Sequence, residues 1–292
     1  MVYLKNLAEI SKKNILFSGG KAANLGWLIK TGFNVPSGFV VGSPAFDLFL
    51  KQDNTGQKIK KLLKEINSKK IYDLIEKSKK IQKIILDLSI PDEIAKEVNG
   101  ALIRWKNKKF AVRSSAISED SKNHSWAGML ESYVDVPKNK IVGNIKKCWA
   151  SYFSPRANMY RLQNKIDVDD ILCAVIVQEM LKPETAGVCF TANPANGNQK
   201  ELFIEAAHGV ADKVVGGKTI PDSYVIDKIS NKTISKKING KKSIIDNKQI
   251  EEIADICGLI EKKAGAPQDI EWAFARRKFF ILQTRPITTL TK

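Results

Sequence analysis

The sequence predicts an α+β fold in two lobes, and three observations carry that expectation. Apolar residues keep a helical period through most of residues 57–107, then switch to a strand period near residue 110. Strand-like runs dominate from residue 171, without the regular strand–helix alternation of a doubly wound sheet. The last runs, DIEWAFA and FFILQTRPI, flank Arg276-Arg277-Lys278 and read as a hairpin. The lobes are expected to divide as 1–180 and 181–292.

Taken in order, Ser18-Gly19-Gly20 reads as a turn, followed by a helix from Lys21 to about Thr31 that stops at Gly32 before Pro36. GFVVG is a short strand. Ile71, Leu74, Ile75, Ile81, Ile85 and Leu88 form a helical stripe, and Pro91 with Asp92 and Glu93 opens another helix. FAVRSS is a strand running into the polar loop AISEDSKNHSW, and AGMLESYVDV resumes strand alternation. Residues 138–165 are helical with a break at Ser154-Pro155. ILCAVIVQEM, AGVCFTANP, ELFIEAAHG and DSYVID read as strands, and a helix over 247–264 ends at Gly265.

Composition excludes several function classes. At 292 residues with 43% apolar content the chain can bury a large core. No window approaches the roughly 18 continuous apolar residues of a membrane helix. The N-terminus lacks the pattern of a signal peptide, so a cytoplasmic protein is expected. Cys148, Cys173, Cys189 and Cys257 form no CxxC pair and read as buried reduced thiols rather than zinc ligands. The net charge of +17 raises nucleic-acid binding. Its lysines, however, are spread along the polar faces of amphipathic segments, with no arginine-rich or aromatic-interleaved tract, and a solvated surface accounts for them.

Four stretches hold residues capable of chemistry. Lys21 stands at a helix start, where backbone N–H groups and the helix dipole already present positive charge. It either points into water or meets an anion, although neither standard phosphate-loop signature is present. Arg113 ends the FAVRSS strand at a small, polar loop flanked by Gly128, which suits either a surface arginine or a phosphate ligand. Gln178 and Glu179 interrupt a buried strand, and could read a base edge or serve structural hydrogen bonds. In the hairpin, a three-residue turn would set Glu271 opposite Gln283 and Asp269 opposite Arg285, with Trp272, Phe274, Phe280 and Leu282 on the other face. That is either a surface salt bridge or, with a carboxylate and an amide oxygen side by side, a hard-cation site suited to Mg²⁺ and phosphate.

Six ordered blocks share one resemblance: GGKAANLGWLIKTGFNVPSGFVV, FAVRSSAISEDSKNHSWAGMLESYVDV, CWASYFSPRANMYR, AVIVQEMLKPETAGVCFTANP, LFIEAAHGVADKVVGGKTIPDSYVID and QDIEWAFARRKFFILQTRPIT. Together they resemble the nucleotide-binding domain of the phosphoenolpyruvate synthase, pyruvate phosphate dikinase and rifampicin phosphotransferase family. The resemblance implies an ATP-grasp fold whose two lobes clamp ATP and Mg²⁺, and a dikinase-type transfer of terminal phosphates to a carrier histidine with release of AMP. By motif it assigns Lys21, Arg113 and Arg285 to the phosphates, as the catalytic set. It assigns Gly128 and Ser132 to a covering loop, Gln178, Glu179 and Met180 to the adenine and hinge, and Glu271 and Gln283 to Mg²⁺.

Three departures accompany it. The family's phosphohistidine and phosphoenolpyruvate/pyruvate blocks are absent, and neither His124 nor His208 sits in a carrier context. AGMLES stands where the family shows a Gln-rich AGQQET, and EAAHGVADKVV replaces EA-x-x-GLGE-x-V. The expected partner is therefore a separate phosphohistidine domain or protein, with or without a phosphoenolpyruvate/pyruvate-type domain; membranes and nucleic acid are not expected. A split, phenylphosphate synthase-like enzyme and a non-catalytic nucleotide-sensing module are the alternatives.

Overall fold

The computed structural model describes residues 2–67, 69–117, 126, 129–167, 171–209 and 220–288. Helices stand beside two antiparallel sheets, the α+β class the sequence predicts. Contacts divide the chain into two compact units, one of residues 1–27 and 37–180, the other of residues 28–36 and 181–292.

The first unit is built on a five-stranded sheet of order β1-β2-β5-β3-β4. Its strands are β1 (Leu4–Asn6), β2 (Gly38–Val41), β3 (Lys109–Ala116), β4 (Ser132–Pro137) and β5 (Cys173–Glu179). Phe39, Val41, Phe110, Val112, Val175 and Val177 point from one face into the main hydrophobic core. That core is completed by buried residues of α2 (Ser43–Lys51), α3 (Thr55–Lys64), α4 (Ile71–Asp87), α5 (Asp92–Leu102), α6 (Ile141–Ser151) and α7 (Pro155–Gln163). The predicted stripe is legible in α4, where Leu74, Ile81 and Ile85 are buried while Ile71 is half exposed at the first turn. Alternation of strand side chains leaves Ala111, Arg113, Ser115, Ile176 and Gln178 on the opposite face.

The helix α1 (Ile15–Lys30) is interrupted at Gly19, whose φ of 71° and ψ of 171° belong to a region only glycine occupies comfortably. The predicted turn is this break, and Gly32, with φ 92°, ends the helix as expected.

The second unit is built on a six-stranded sheet of order β11-β10-β6-β7-β8-β9. Its strands are β6 (Thr185–Phe190), β7 (Glu201–His208), β8 (Asp222–Asp227), β9 (Thr233–Lys237), β10 (Gln268–Ala275) and β11 (Lys278–Pro286). The helix α8 (Asn247–Ala264) packs on β10 and β6. Asp246 caps its start by accepting from the Gln249 N–H at 2.8 Å, and Gly265 ends it in the left-handed conformation. All four cysteines are buried and unbridged, as expected from their scatter.

Candidate functional site

In the first unit, the helix segment beginning after Gly19 is seated on β3. The Ser115 Oγ accepts from the Ala22 N–H at 3.2 Å, satisfying one of the donors that a helix start leaves without an intrahelical partner. A Cβ on Gly19 would fall 2.1 Å from the Ser115 carbonyl oxygen, so glycine is required both by φ and by close approach. The start of the Lys21 helix is thereby tied to a strand position two residues from Arg113. Lys21 is half-buried. Its charge also reaches the Cys148 thiol. Burial pushes that thiol up to about 12, and the hydrogen bond with Ser114 and the Lys21 charge oppose the rise.

Arg113 pairs in register with Ser132 of β4 on one side and Ile176 of β5 on the other. The sequence reading put Arg113 at a strand end. It lies instead inside β3, because Ser114, Ser115 and Ala116 continue the ladder against Val175, Ala174 and Cys173. Met129 and Leu130 likewise fall outside β4, which starts at Ser132. Gly128 and His124 lie outside the described residues.

Gln178 is 3% exposed and pairs with Ala111 and Gly38. It shares a face with Arg113, one diagonal cross-strand step away, a spacing of about 7–8 Å. Glu179 occupies the other face. Its carboxylate accepts from Lys108 Nζ at 2.8 Å and from Ser37 Oγ at 3.2 Å. The Met180 N–H donates to the Lys109 carbonyl at 2.9 Å, so the strand end is held by backbone as well.

In the second unit, Glu271 stands opposite Gln283, and Asp269 opposite Arg285. The connecting turn departs from the expectation. Ala275 pairs with Lys278 rather than Phe279, so the turn has two residues, Arg276 and Arg277, with φ of 54° and 60°. Both are left-handed, the requirement of a type I′ hairpin that matches strand twist. A register shift between Glu271 and Trp272 then restores the pairing farther along. Between turn and bulge the faces are exchanged on β11. Phe280 pairs with Ala273, and Phe280 and Leu282 pack with Leu181, Ala186, Ala273 and Ala275. Phe279, not Phe280, joins Trp272 and Phe274 on the far face.

The Glu271 face points away from α8, because Ile270 and its neighbour Cys189 alternate onto the opposite side, where Cys189 meets Cys257 of the helix. Arg285 donates from Nε at 2.8 Å and from a terminal nitrogen at 2.6 Å to the Asp269 carboxylate. Burial raises the Asp269 carboxyl, while Arg285 acts to lower it. Gln283 is 7% exposed. A carboxylate and an amide oxygen on adjacent strands form a donor set for a hard cation, so these residues fit Mg²⁺ chemically. Among the described residues no group of three or more His, Cys, Asp or Glu side chains is arranged to enclose a metal.

One residue escaped the sequence reading. Val188 pairs with Glu271 on one side and Glu205 on the other, which puts Glu205 on the same face. Burial alone raises its carboxyl above the ordinary glutamate value. The alternating pattern of ELFIEAAH carried the signal, but the pairing of β6 with β7 was needed to read it.

The family described as "Pyruvate phosphate dikinase, AMP/ATP-binding domain" matches residues 16–292. A probable phosphoenolpyruvate synthase of Methanocaldococcus jannaschii is 35% identical over 100% of this chain and 27% of its own length. One from Archaeoglobus fulgidus is 36% identical over 98% of this chain and 42% of its own. The rifampicin phosphotransferase of Bacillus subtilis is 36% identical over 97% of this chain and 36% of its own. The chain thus spans less than half the length of these relatives, which contain further regions. Among solved structures, D-alanyl-alanine synthetase A of Vibrio cholerae matches at 14% identity with a TM-score of 0.34, covering 67% of this chain and 46% of that one. No described helix is long and apolar enough to cross a membrane.

Proposed function

The chain belongs to the pyruvate phosphate dikinase AMP/ATP-binding domain family, and on that premise we propose that it is the ATP-binding part of a dikinase-type phosphotransferase with an ATP-grasp arrangement. It uses Mg·ATP to phosphorylate a histidine on a separate domain or protein, and AMP is released. The pairing of Glu271 with Gln283 is the observation that carries this reading, because an acidic oxygen and a neutral oxygen side by side select a hard cation that travels with phosphate.

Bound ATP supplies the transferable phosphates, and Mg²⁺ supplies charge neutralisation on their oxygens. Everything else is positioning by this chain, as phosphoryl transfer chiefly requires. In this reading Glu271 and Gln283 hold the cation. Lys21 and Arg113 meet the phosphates, one from a helix start fastened to Ser115 and the other from inside a sheet. Arg285 meets the transferring groups with its guanidinium already oriented by Asp269. Gln178 with the backbone carbonyls at Glu179 and Met180 receives the adenine edge, and Gly128 and Ser132 cover the phosphates. In this reading the acceptor histidine lies on a separate domain or protein; His208 is exposed at the end of β7 with no assigned residue beside it in the ladder.

The test has two stages. Calorimetry with ATP, with and without Mg²⁺, should show Mg²⁺-dependent binding. Incubation with the histidine-bearing region of a longer relative should then yield AMP and an acid-labile phosphohistidine. Absence of ATP binding overturns the reading. Binding with no AMP from any carrier restricts the chain to nucleotide sensing.

A further inference from the structure

On the helical side of the first sheet, away from the face that carries Arg113 and Gln178, a guanidinium is buried with no carboxylate paired to it among the described residues. Arg161 of α7 is 3% exposed. It donates to the Asn158 side-chain oxygen and to the Tyr152 carbonyl at 3.3 Å. The rings of Tyr152, Trp126 and Phe153 lie 4.8, 5.6 and 5.8 Å from its central carbon. Its Nε has no hydrogen-bond partner, and among the described residues no acidic side chain pairs with it.

Aromatic faces offset part of the cost of taking a cation out of water. They do not replace a counter-charge, and a buried ion is ordinarily paired because desolvation costs several kcal/mol. Beside Arg161 is a cavity of about 220 Å³, lined also by Asn158, Lys165 and the apolar side chains of Leu63, Ile66, Leu162 and Ile166. That is far more than the roughly 10–15 Å³ a single water needs. Lys165 is exposed just past the end of α7 and also lines the cavity, which supplies a second cation there. Two cations, an amide and four aliphatic side chains in one lining suit an amphipathic anion.

We propose that this cavity binds a small carboxylate with an apolar body, its oxygens meeting Arg161 and Lys165. The site is independent of the nucleotide reading, since none of its residues belongs to that set.

The experiment compares sodium 3-methylbutanoate with 3-methylbutanamide on the full chain, at matched ionic strength, by thermal unfolding and calorimetry. The acid should raise the unfolding temperature saturably and the amide should not. Lys165→Asn, which suits the left-handed backbone there (φ 53°), should weaken the acid at least about threefold at unchanged fold. Arg161→Lys, which keeps the charge but loses the planar fork, should weaken it further. Equal responses to acid and amide, or no saturable response, would overturn the proposal. So would a counter-charge from the chain itself, seen as Glu119→Gln or Asp120→Asn destabilising wild type but not Arg161→Lys.

Discussion

Glu271 stands directly opposite Gln283 in the closing hairpin, although the turn joining their strands is one residue shorter than the alternation of the sequence implies. The bulge beyond Trp272 absorbs the difference. Two departures from the simple register cancel at the pair proposed to hold the cation, and they do not cancel at Phe280.

Loss of that pair should abolish the metal dependence of nucleotide binding. Glu271→Ala and Gln283→Ala are each expected to weaken Mg·ATP by on the order of 10–100-fold, the scale seen when a metal site is disturbed. Far-UV circular dichroism should be unchanged, because Glu271 is only half-buried and Ala273 shows that the face accepts alanine. Unaltered calorimetric affinity in Glu271→Ala would remove it from the metal site.

The two-residue turn is built from unfavourable residues. Arg276 and Arg277 both hold positive φ, where a side chain other than Asn, Asp or Gly costs about 1–2 kcal/mol. Replacing them with Asn-Gly is expected to raise the urea midpoint by an amount equivalent to about 1–2 kcal/mol. Nucleotide affinity should stay the same, since the turn lies beyond Ala275 and Lys278. A lower midpoint would show that the arginines make contacts worth more than the strain.

Gly19 and Gly265 share a positive φ but differ in surroundings. Alanine at Gly265 meets nothing within 4 Å and should cost only the left-handed penalty, about 1–2 kcal/mol. At Gly19 the added Cβ collides with Ser115 backbone. Gly19→Ala should therefore cost clearly more in chemical denaturation and also weaken ATP, because the helix start that carries Lys21 must lift from β3. Equal costs at the two sites would mean that the strand yields freely.

Glu205 supplies a pH signature. Burial raises its folded-state carboxyl above the ordinary value of 4.5, so ionised Glu205 disfavours the folded state. Its relative stabilisation is complete below the unfolded value and is lost as pH rises through the raised one. Glu205→Gln should accordingly unfold at a higher temperature than wild type at pH 7, with the advantage vanishing below about pH 4. A constant difference across pH would trace the change to packing.

The candidate site was partly legible in the chain. Two-residue alternation, a local property, sets Glu271 opposite Gln283, and the shorter turn leaves that pairing intact only because the bulge offsets it. The turn itself was opaque, since Arg-Arg carries none of the glycine or asparagine chemistry that marks a type I′ connection. Arg113 was placed at a strand end because Ser114 and Ser115 look like loop. What holds them extended is β5, whose Ala174 and Val175 are some sixty residues distant. The weak edge strand β9, Thr233–Lys237, is exposed along its whole length and left no apolar alternation to detect.

By itself the sequence determined the α+β class, the break before Lys21, the stop at Gly32 and the helix ending at Gly265. Each of these rests on periodicity or on backbone freedom within a few residues. Only tertiary structure decided that Ser115 caps the Lys21 helix, that Glu205 shares a face with Glu271, that Glu179 is spent on Lys108 and that Arg161 is buried beside a cavity. Those relationships depend on which strands pair and which helices cover them, and strand pairing is set by the burial of whole faces rather than by any short stretch of residues.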